Sequence, residues 1–427
     1  MPIKLLRENV DIYTAPILDL KSEPMNDDKN EHTIGDLHGN AIKLFYFLIK
    51  QGIIKNIDAK DYKKLVDIYK KPVAMLGKQD LNLFNKILKK IKCFENRNLI
   101  VRLIGDELAD RGNNDYFTLK ILQKLHQQGI LLEILLSNHS AEFVTAYERQ
   151  KLNQHGKFNS LNLPARFITS MMNLQVLIDK KLIDKAEIFT IYQTVYKPNL
   201  KLIGYTLHNT NKKKQIVLYT HAPAGLNSIQ SITSELGISY KDGKLTELTD
   251  TIDNINAKFQ KEYIQKDEIR ELLEFENIIS KFIWNRSYQE LQRPEQKPTY
   301  RLSFVHGHDA SEPSQENFYN LDTDLGKCET CNEGEYSVLH ITVEKKAKTK
   351  KEFTEKASKA EAYSPIPYDP SWLPRQVSQD ITTLMQNANT CRRTEFFRYK
   401  DTSKHPITPV IEVSQSINDA IPTLTRC

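Results

Sequence analysis

Short apolar runs of strand length alternate with amphipathic stretches between residues 33 and 343. The strand candidates are the runs at 33–34, 98–105, 130–137, 201–208, 215–219, 301–305, 317–321 and 336–343. The helix candidates, in which apolar residues recur roughly every three to four positions, are 41–50, 116–127, a segment after Ser140, 248–261 and 267–283. Strands that alternate with helices predict an α/β layered core, with β-hairpin elements added late in the chain.

The same pattern predicts a catalytic domain at 30–344 with two helical insertions. The first insertion, at about 52–93, holds two lysine-rich amphipathic segments. The second, at about 151–200, is polar and mostly helical in its periodicity. Both insertions lie between runs that read as core strands, so we expect them to decorate one domain.

The two ends of the chain lack this periodicity. Residues 1–29 are predicted to be an irregular lead-in that ends in a polar run. Lysines dominate 345–361 and prolines 364–374, a composition typical of a solvated helix followed by an extended linker. We therefore predict a lysine- and proline-containing C-terminal tail at 345–427.

Composition narrows the classes of partner. The net charge of +6 is small for 427 residues, and the lysines are not interleaved with aromatic residues in one stripe. We therefore predict no nucleic-acid partner. No apolar run is long enough to cross a bilayer, and the N-terminus lacks the apolar core of a secretory signal, so we expect a soluble protein.

Cysteine usage points to a reducing compartment such as the cytoplasm. The five cysteines are an odd number and are spread widely, which does not suit a disulfide framework. Cys328 and Cys331 form a CxxC pair, but no second pair with zinc-site spacing accompanies it. We predict that these two residues lie in a turn as reduced thiols.

Five polar motifs occur where predicted strands end, and each carries Asp, Asn or His. They are GDLHGN at 35–40, GDELADRG at 105–112, SNHS at 137–140, THAP at 220–223 and HGHD at 306–309. In α/β sheets the loops at the carboxyl ends of strands converge on ligands. Carboxylate, amide and imidazole ligands suit Mn, Fe or Zn. Two such ions about 3.5–4 Å apart stabilise both oxygens of an in-line phosphoryl displacement.

The motif order GDxHG, GDx(n)DRG, NH, H, GH over about 33–325 resembles the phosphoprotein phosphatase branch of the calcineurin-like metallophosphoesterases. That branch includes the eukaryotic Ser/Thr phosphatases and the phage lambda enzyme. The resemblance implies mixed β-sheets sandwiched by helices and hydrolysis of phosphomonoesters on phosphoprotein. It also implies two divalent metal ions, with manganese as the first candidate and iron or zinc as alternatives.

Carried over motif by motif, the resemblance implies a set of metal ligands and a set of catalytic residues. The implied ligands are Asp36 and His38 for the first ion, Asp106 as the bridge, and Asn138, His221 and His308 for the second ion. The implied catalytic residues are His139 as general acid, Asp110 as the residue that orients it, and Arg111 as a phosphate ligand. In this branch the nucleophile is metal-bound hydroxide. His306 is left open as a neighbour of the site or a strand residue.

Arg286 is a further phosphate-ligand candidate, because related bacterial phosphatases often carry a Trp-x-Arg before the last histidine motif. A planar guanidinium binds phosphate with two parallel hydrogen bonds. The alternative is a surface arginine at a helix end.

Two departures from the branch pattern are specific. Three residues rather than two separate the aspartates of GDELADRG, and SNHS replaces GNHE. This variant pattern resembles the Wip phosphatases, effectors that Legionella secretes into host cells. The resemblance implies a bacterial effector that acts on host proteins and leaves the cell without a classical signal peptide.

Two other functions stay open at the level of the sequence. One is a hydrolase of diadenosine polyphosphates, cyclic nucleotides or another small phosphoester, although the DRG element favours the phosphoprotein branch over the cyclic-nucleotide one. The other is a non-catalytic scaffold on a decayed phosphatase fold, against which the full set of candidate ligands argues.

Overall fold

The computed structural model describes residues 4–16, 29–94, 99–152, 157–158, 164–209, 214–273, 277–286, 296–311, 314–328 and 330–343. The predicted tail at 345–427 lies outside these residues.

The described strands form three sheets. In chain order they are β1 (Lys4–Asp11), β2 (Lys29–Ile34), β3 (Ile54–Lys55), β4 (Lys92–Cys93), β5 (Ile100–Leu103), β6 (Leu131–Leu135), β7 (Leu200–Lys201), β8 (Gly204–Asn209), β9 (Lys214–Tyr219), β10 (Tyr300–His306), β11 (Phe318–Asn320) and β12 (Glu333–Val343). A six-stranded sheet has the order β1-β12-β2-β5-β6-β7, a four-stranded sheet has the order β11-β10-β9-β8, and β3 pairs with β4.

Both large sheets are mixed. Strands β2, β5, β6 and β7 are parallel, while β12 runs antiparallel to β1 and β2. In the second sheet β9, β10 and β11 are parallel and β8 is antiparallel. The parallel strands place their carboxyl ends at one edge of each sheet, as the motif positions require.

The α-helices follow the predicted alternation with the strands. They are α1 (Ala41–Lys50), α2 (Ala59–Tyr69), α3 (Lys78–Lys90), α4 (Asp115–Gln127), α5 (Asn138–Leu152), α6 (Thr169–Asp179), α7 (Lys185–Ile191), α8 (Leu226–Glu235), α9 (Leu245–Phe259), α10 (Ile269–Leu273) and α11 (Ile278–Trp284). None of the described helices is long and apolar enough to cross a membrane.

Motif residues cap the helices that leave the strand ends. The Asn40 side chain accepts hydrogen bonds from the backbone N–H groups of Ile42 and Lys43 at the start of α1. Asn114 accepts one from Tyr116 at the start of α4. Such caps satisfy helix N–H groups that have no partner within the helix. The capped starts fix where each motif loop ends.

The two large sheets pack face to face. Their shared core cluster joins Leu135, Val217, Val305, Leu339 and other apolar residues from both sheets. A larger core cluster draws on the helices and the outer sheet surfaces. The mixed α/β architecture predicted from the alternation is thus confirmed.

A buried guanidinium ties the sheets together at the centre of this sandwich. Arg102 on β5 pairs with Glu133 on β6 and, at 3.1 Å, with Glu31 on β2. Its guanidinium carbon lies 3.8 Å from the centre of the Tyr219 ring on β9. A buried charge needs such compensation, so loss of both carboxylates would leave the guanidinium unpaired, and breaking a buried pair in this way costs about 3–5 kcal/mol.

The lead-in prediction is wrong for Lys4–Asp11, which form β1 and pair along their whole length with β12. Much of this strand is partly exposed, whereas Ile12, the residue after it, is fully buried. An edge strand shows little apolar alternation, which explains why periodicity missed it. The single helix predicted at 267–283 is also wrong, because α10 and α11 are separate helices.

The prediction of reduced thiols at Cys328 and Cys331 is wrong as well. Their sulfur atoms are bonded, and the Cα atoms lie 5.0 Å apart. The backbone N–H of Cys331 donates to the carbonyl of Cys328 at 3.1 Å, so the turn brings the side chains within bonding range. The number and spacing of the cysteines did not predict this disulfide, because they indicate whether a chain has a framework of several disulfides and not whether one tight turn forms a single bond.

Candidate active site

All five strand-end motifs meet in one place. The loops after β2, β5 and β6 bring Asp36, Asp106 and Asn138 together, and the loops after β9 and β10 bring His221 and His308 to them. Each of these residues is buried. The convergence joins the carboxyl ends of both large sheets, so the site lies where the two layers of the sandwich meet.

Imidazole Nε2 of His221 is the centre of one donor group. It lies 2.7 Å from Asn138 Oδ1, 3.1 Å from His308 Nδ1 and 3.5 Å from Asp106 Oδ1. One amide oxygen, one carboxylate oxygen and two ring nitrogens thus face a common point. These are ligand types that Mn, Fe and Zn accept.

A second donor group surrounds His38. Its Nε2 lies 3.3 Å from Asp322 Oδ1, and its Nδ1 lies 3.3 Å from Asp110 Oδ2. Ligand atoms of Asp36, His38 and Asp322 lie within 4.8 Å of one another, as do those of His38, Asp106 and Asp110. Asp106 therefore stands between the two groups.

Close backbone packing holds the groups together. A Cβ on Gly307 would lie 1.8 Å from Asp36 Oδ1, so only glycine allows this loop to approach Asp36. The next residue, His308, donates its backbone N–H to Asp36 Oδ2 at 2.9 Å and has a φ of 74°. Positive φ is strained for a residue other than glycine, and such strain is common at functional sites.

Burial keeps two of the histidines neutral. It lowers the pKa of His221 to about 3, and burial together with His221 lowers the pKa of His308 to about 3. Metal ligation requires the neutral imidazole, so both rings are ready to bind a cation at neutral pH.

The pKa values of Asp36 and His38 are raised, not lowered. Burial raises the pKa of Asp36 well above its ordinary value, and Asp322 and Asp106 raise it further. Burial alone would lower the pKa of His38, but hydrogen bonds with Asp110 and Asp322 raise it to about 10. The clustered carboxylates thus favour a positive charge among them.

Several possible metal ligands lack a hydrogen bond among the described residues. Asp36 Oδ1, Asp106 Oδ1 and His308 Nε2 are buried and make no hydrogen bond within the described part of the chain. Leaving such groups unpaired costs about 1–3 kcal/mol each. A bound divalent cation would satisfy them, so the residues present fit a metal centre.

His139, Asp110 and Arg111 line or adjoin the same cavity. His139 Nε2 lies 3.4 Å from Asp110 Oδ1, and Arg111 Nη1 donates to that oxygen at 2.9 Å. Burial would raise the pKa of Asp110, but the hydrogen bond from His38 and nearby positive charges hold it below the usual value. The structure thus brings these three predicted residues together despite the longer loop.

The extra residue in GDELADRG is accommodated by the backbone. Asp106 and Ala109 have φ values of 53° and 55°. The Ala109 N–H is held by the Asp115 carboxylate at 3.1 Å, and the Asp110 N–H donates to Ser170 Oγ at 3.0 Å. Glu107 does not line the cavity, whereas Asp110 contacts two residues that do, His38 and His139.

Arg286 lies at the exposed rim of the open cavity, and its Nη1 is 3.3 Å from Asp309 Oδ2. It adjoins Trp284, whose ring stands edge-on to His308 with the ring centres 6.1 Å apart. His306, left open by the sequence, lies outside the cavity lining and its ring packs 4.6 Å from that of Phe318.

Sequence reasoning missed Asp322 and Lys327, which also line the cavity. Asp322 comes two residues after the end of β11. The signal was available, because this position follows a strand as the five motifs do. Lys327 gave no comparable signal, since a lysine in a loop is ordinarily solvated.

The chain is similar to known proteins in both sequence and structure. Residues 100–327, more than half of the chain, match the family described as WipA-like, phosphatase domain. The crystal structure of the phosphatase domain from the Legionella effector WipB is 33% identical, with a TM-score of 0.57. The match covers 67% of this chain and 100% of that domain.

The chain belongs to the WipA-like phosphatase family. The resemblance to the Wip phosphatases drawn from the motifs is thereby confirmed, and the chain is a phosphatase. A cold-active protein tyrosine phosphatase also aligns, at 15% identity over 74% of each chain, but its TM-score of 0.34 supports no conclusion. The chain matches no curated protein.

Membership in the WipA-like family agrees with the position of the cavity. The matched segment begins with β5 and includes four of the five motif loops. Asp36 and His38 precede it and reach the site through β2, which pairs with β5.

Proposed function

We propose that this chain is a metal-dependent phosphoprotein phosphatase that hydrolyses phosphomonoesters with two divalent ions on a calcineurin-like fold. The observation that carries the proposal is the convergence of two donor groups around Asp106, where buried oxygens of Asp106 and Asp36 make no hydrogen bond to any described residue. Two face-to-face mixed sheets with helices outside them agree with that fold.

Six residues would hold the ions. Asp36 and His38 would bind the first, Asp106 would bridge, and Asn138, His221 and His308 would bind the second. Manganese is the first candidate, with iron and zinc as alternatives. Such a pair supplies positive charge to the phosphoryl oxygens and activates a water.

The chain's own side chains would handle the phosphate and the proton. Arg111 and Arg286 line the cavity and would bind the phosphate. His139 would give a proton to the leaving oxygen, and Asp110, 3.4 Å away, would orient its ring. The departing serine, threonine or tyrosine oxygen would then leave as a neutral hydroxyl.

The shape of the cavity favours phosphate on a protein over a small free phosphoester. It is open, and Arg111, Arg286 and Lys327 lie around it, which suits an anionic group presented on a larger surface. Because WipB is a Legionella effector, we include in the proposal that this chain acts on host proteins.

Metal removal tests the proposal. Hydrolysis of p-nitrophenyl phosphate should be lost in chelator and return with manganese, and two ions per chain should be found by elemental analysis. Asp106→Asn should lower kcat more than any other ligand change, because it touches both donor groups. Asp67→Asn, an exposed carboxylate on α2, is the matched control and should leave kcat unchanged. Full activity of metal-free protein would refute the metal mechanism.

A further inference from the structure

The two departures from the motif pattern meet beneath the candidate active site. Glu107 belongs to the lengthened loop GDELADRG, and Ser137 and Ser140 stand where the related motif has glycine and glutamate. Glu107, Ser137 and Ser140 are fully buried. Neither change takes part in the proposed chemistry, which raises the question of what they do together.

The serine pair contacts the bridging residue directly. Ser137 Oγ accepts hydrogen bonds from the backbone N–H groups of Asp106 at 2.9 Å and Ser140 at 3.0 Å. Ser140 Oγ in turn accepts from the N–H of Ser137 at 2.9 Å and lies 2.7 Å from Ser137 Oγ. The pair therefore holds the strand-end backbone on both sides of the ligand Asn138.

Counting donors and acceptors gives the serine pair one direction. A hydroxyl oxygen has two lone pairs and one proton. Two N–H groups use both lone pairs of Ser137 Oγ, so its proton goes to Ser140 Oγ. That oxygen is then filled as well, and its proton has two acceptors within reach: the Ser137 carbonyl oxygen at 3.4 Å and the hydroxyl of Tyr196, which interacts with Ser140.

The chain of hydrogen bonds ends on Glu107. The Tyr196 hydroxyl donates to Glu107 Oε1, and both side chains are fully buried. Glu107 Oε2 has no hydrogen-bond partner among the described residues. When Ser140 donates to Tyr196, each hydroxyl of the series donates toward Glu107, so an acceptor at this position favours that arrangement over the Ser140 bond to the Ser137 carbonyl.

We propose that Glu107 and Tyr196 are positioning residues that hold Asp106 and Asn138 through the serine pair. The extra loop residue and the altered SNHS motif are then one coupled change: the buried carboxylate absent from position 140 is supplied by Glu107. The inference rests on the proposed metal-dependent function, because the positioned groups are its ligands.

Tyr196→Phe tests the network with a control from the same segment. We expect manganese affinity to fall about 10-fold or more, the range for partners that orient metal ligands, with a lower kcat and an unchanged KM. Tyr192→Phe is the control, because Tyr192 is equally buried but its hydroxyl makes no hydrogen bond within the described chain. It should leave manganese affinity, measured by calorimetry, unchanged.

Two Glu107 variants distinguish a role as hydrogen-bond acceptor from a role in packing alone. Glu107→Gln keeps a carbonyl acceptor and should retain manganese affinity near wild type, whereas Glu107→Met fills the space without one and should behave as Tyr196→Phe. Equal affinities in Tyr196→Phe and Tyr192→Phe, or in the Gln and Met variants, would overturn the proposal.

Two further outcomes are informative. If Tyr196→Phe and Glu107→Met both fail to fold while the Tyr192 control folds, the network serves stability and the proposal is overturned. If the wild-type protein itself binds no manganese or other divalent metal, the proposed function fails, and that result is distinct from any difference between variants.

Discussion

His139 lies between two hydrogen-bond acceptors at the edge of the candidate metal centre. Its Nδ1 is 3.0 Å from the Ala109 carbonyl oxygen, and its Nε2 is 3.4 Å from Asp110 Oδ1. A carbonyl oxygen and a carboxylate oxygen thus face its two ring nitrogens, and the lengthened loop supplies both acceptors.

Replacing His139 tests this role through the leaving group. General acids contribute typically about 10²–10⁴-fold, and more for a basic leaving group. His139→Asn should therefore slow hydrolysis of a phosphoserine or phosphothreonine peptide far more than that of p-nitrophenyl phosphate, with metal content near wild type. Equal losses on the two substrates in steady-state assays would assign the residue another role.

Asp110→Asn is a companion variant with a different expected signature. Asp110 contacts His139 through one oxygen and His38 through the other, at 3.4 and 3.3 Å. We expect the same dependence on the leaving group, in weaker form, together with some loss of metal. A variant with full metal content and an unchanged hydrolysis rate on both substrates would show that Asp110 orients neither His139 nor His38.

A second residue-scale prediction concerns stability and not catalysis. His32 on β2 stacks on His340 of β12 with ring centres 4.5 Å apart, and burial together with His340 lowers its pKa to about 3. The unfolded chain binds this proton near pH 6.5 and the native chain does not. The contribution of neutral His32 to the free energy of unfolding is therefore complete above pH 6.5, and it is lost as the pH falls from 6.5 toward 3.

The wild-type free energy of unfolding should fall by about 2 kcal/mol more than that of His32→Phe between pH 6.5 and 5, at about 1.4 kcal/mol per pH unit. Urea unfolding at each pH measures this difference. His126→Phe, at an exposed histidine of α4, should keep the wild-type dependence. Parallel curves for wild type and His32→Phe would contradict the assignment.

At the scale of elements, the apolar pattern predicted the segments that are most buried. Helix α1 has the predicted bounds, Ala41–Lys50, because nine of its ten residues are buried and Asn40 caps it. Helix α8 (Leu226–Glu235) was missed, since only three of its positions are buried: Ile229, Ile232 and Thr233. Strand β1 was missed for the related reason that its stability comes from backbone pairing with β12.

The site was predictable where its residues directly follow apolar strands. Asp106 and Asn138 follow strands that are recognisable from their apolar sequence, and the structure brings the two residues together. Glu107 and Tyr196 were not predictable, because their contact joins residues 89 positions apart across an insertion. A hydrogen bond of that kind leaves no periodic trace in the sequence.

At the scale of the whole molecule, β12 determines where the chain can be shortened. It lies between β1 and β2 in the six-stranded sheet, and its last residue, Val343, pairs with Lys29. Residues 1–348 form one compact unit. The predicted boundary near 344 therefore follows the last strand that the sheet needs.

A chain ending at Lys348 should remain folded and hydrolyse p-nitrophenyl phosphate with the kcat/KM of the full chain. All described residues of the candidate site, from Asp36 to Lys327, are retained. A chain ending at Asn332 is the matched comparison: it keeps the same site residues but removes β12, so β1 and β2 lose their shared partner. We expect it to be insoluble, because two strand edges and their apolar face become exposed. Thermal unfolding and steady-state assays compare the three proteins. Loss of folding or activity in the chain that ends at Lys348 would mean that 349–427 contribute to the catalytic domain, and the predicted boundary would be wrong.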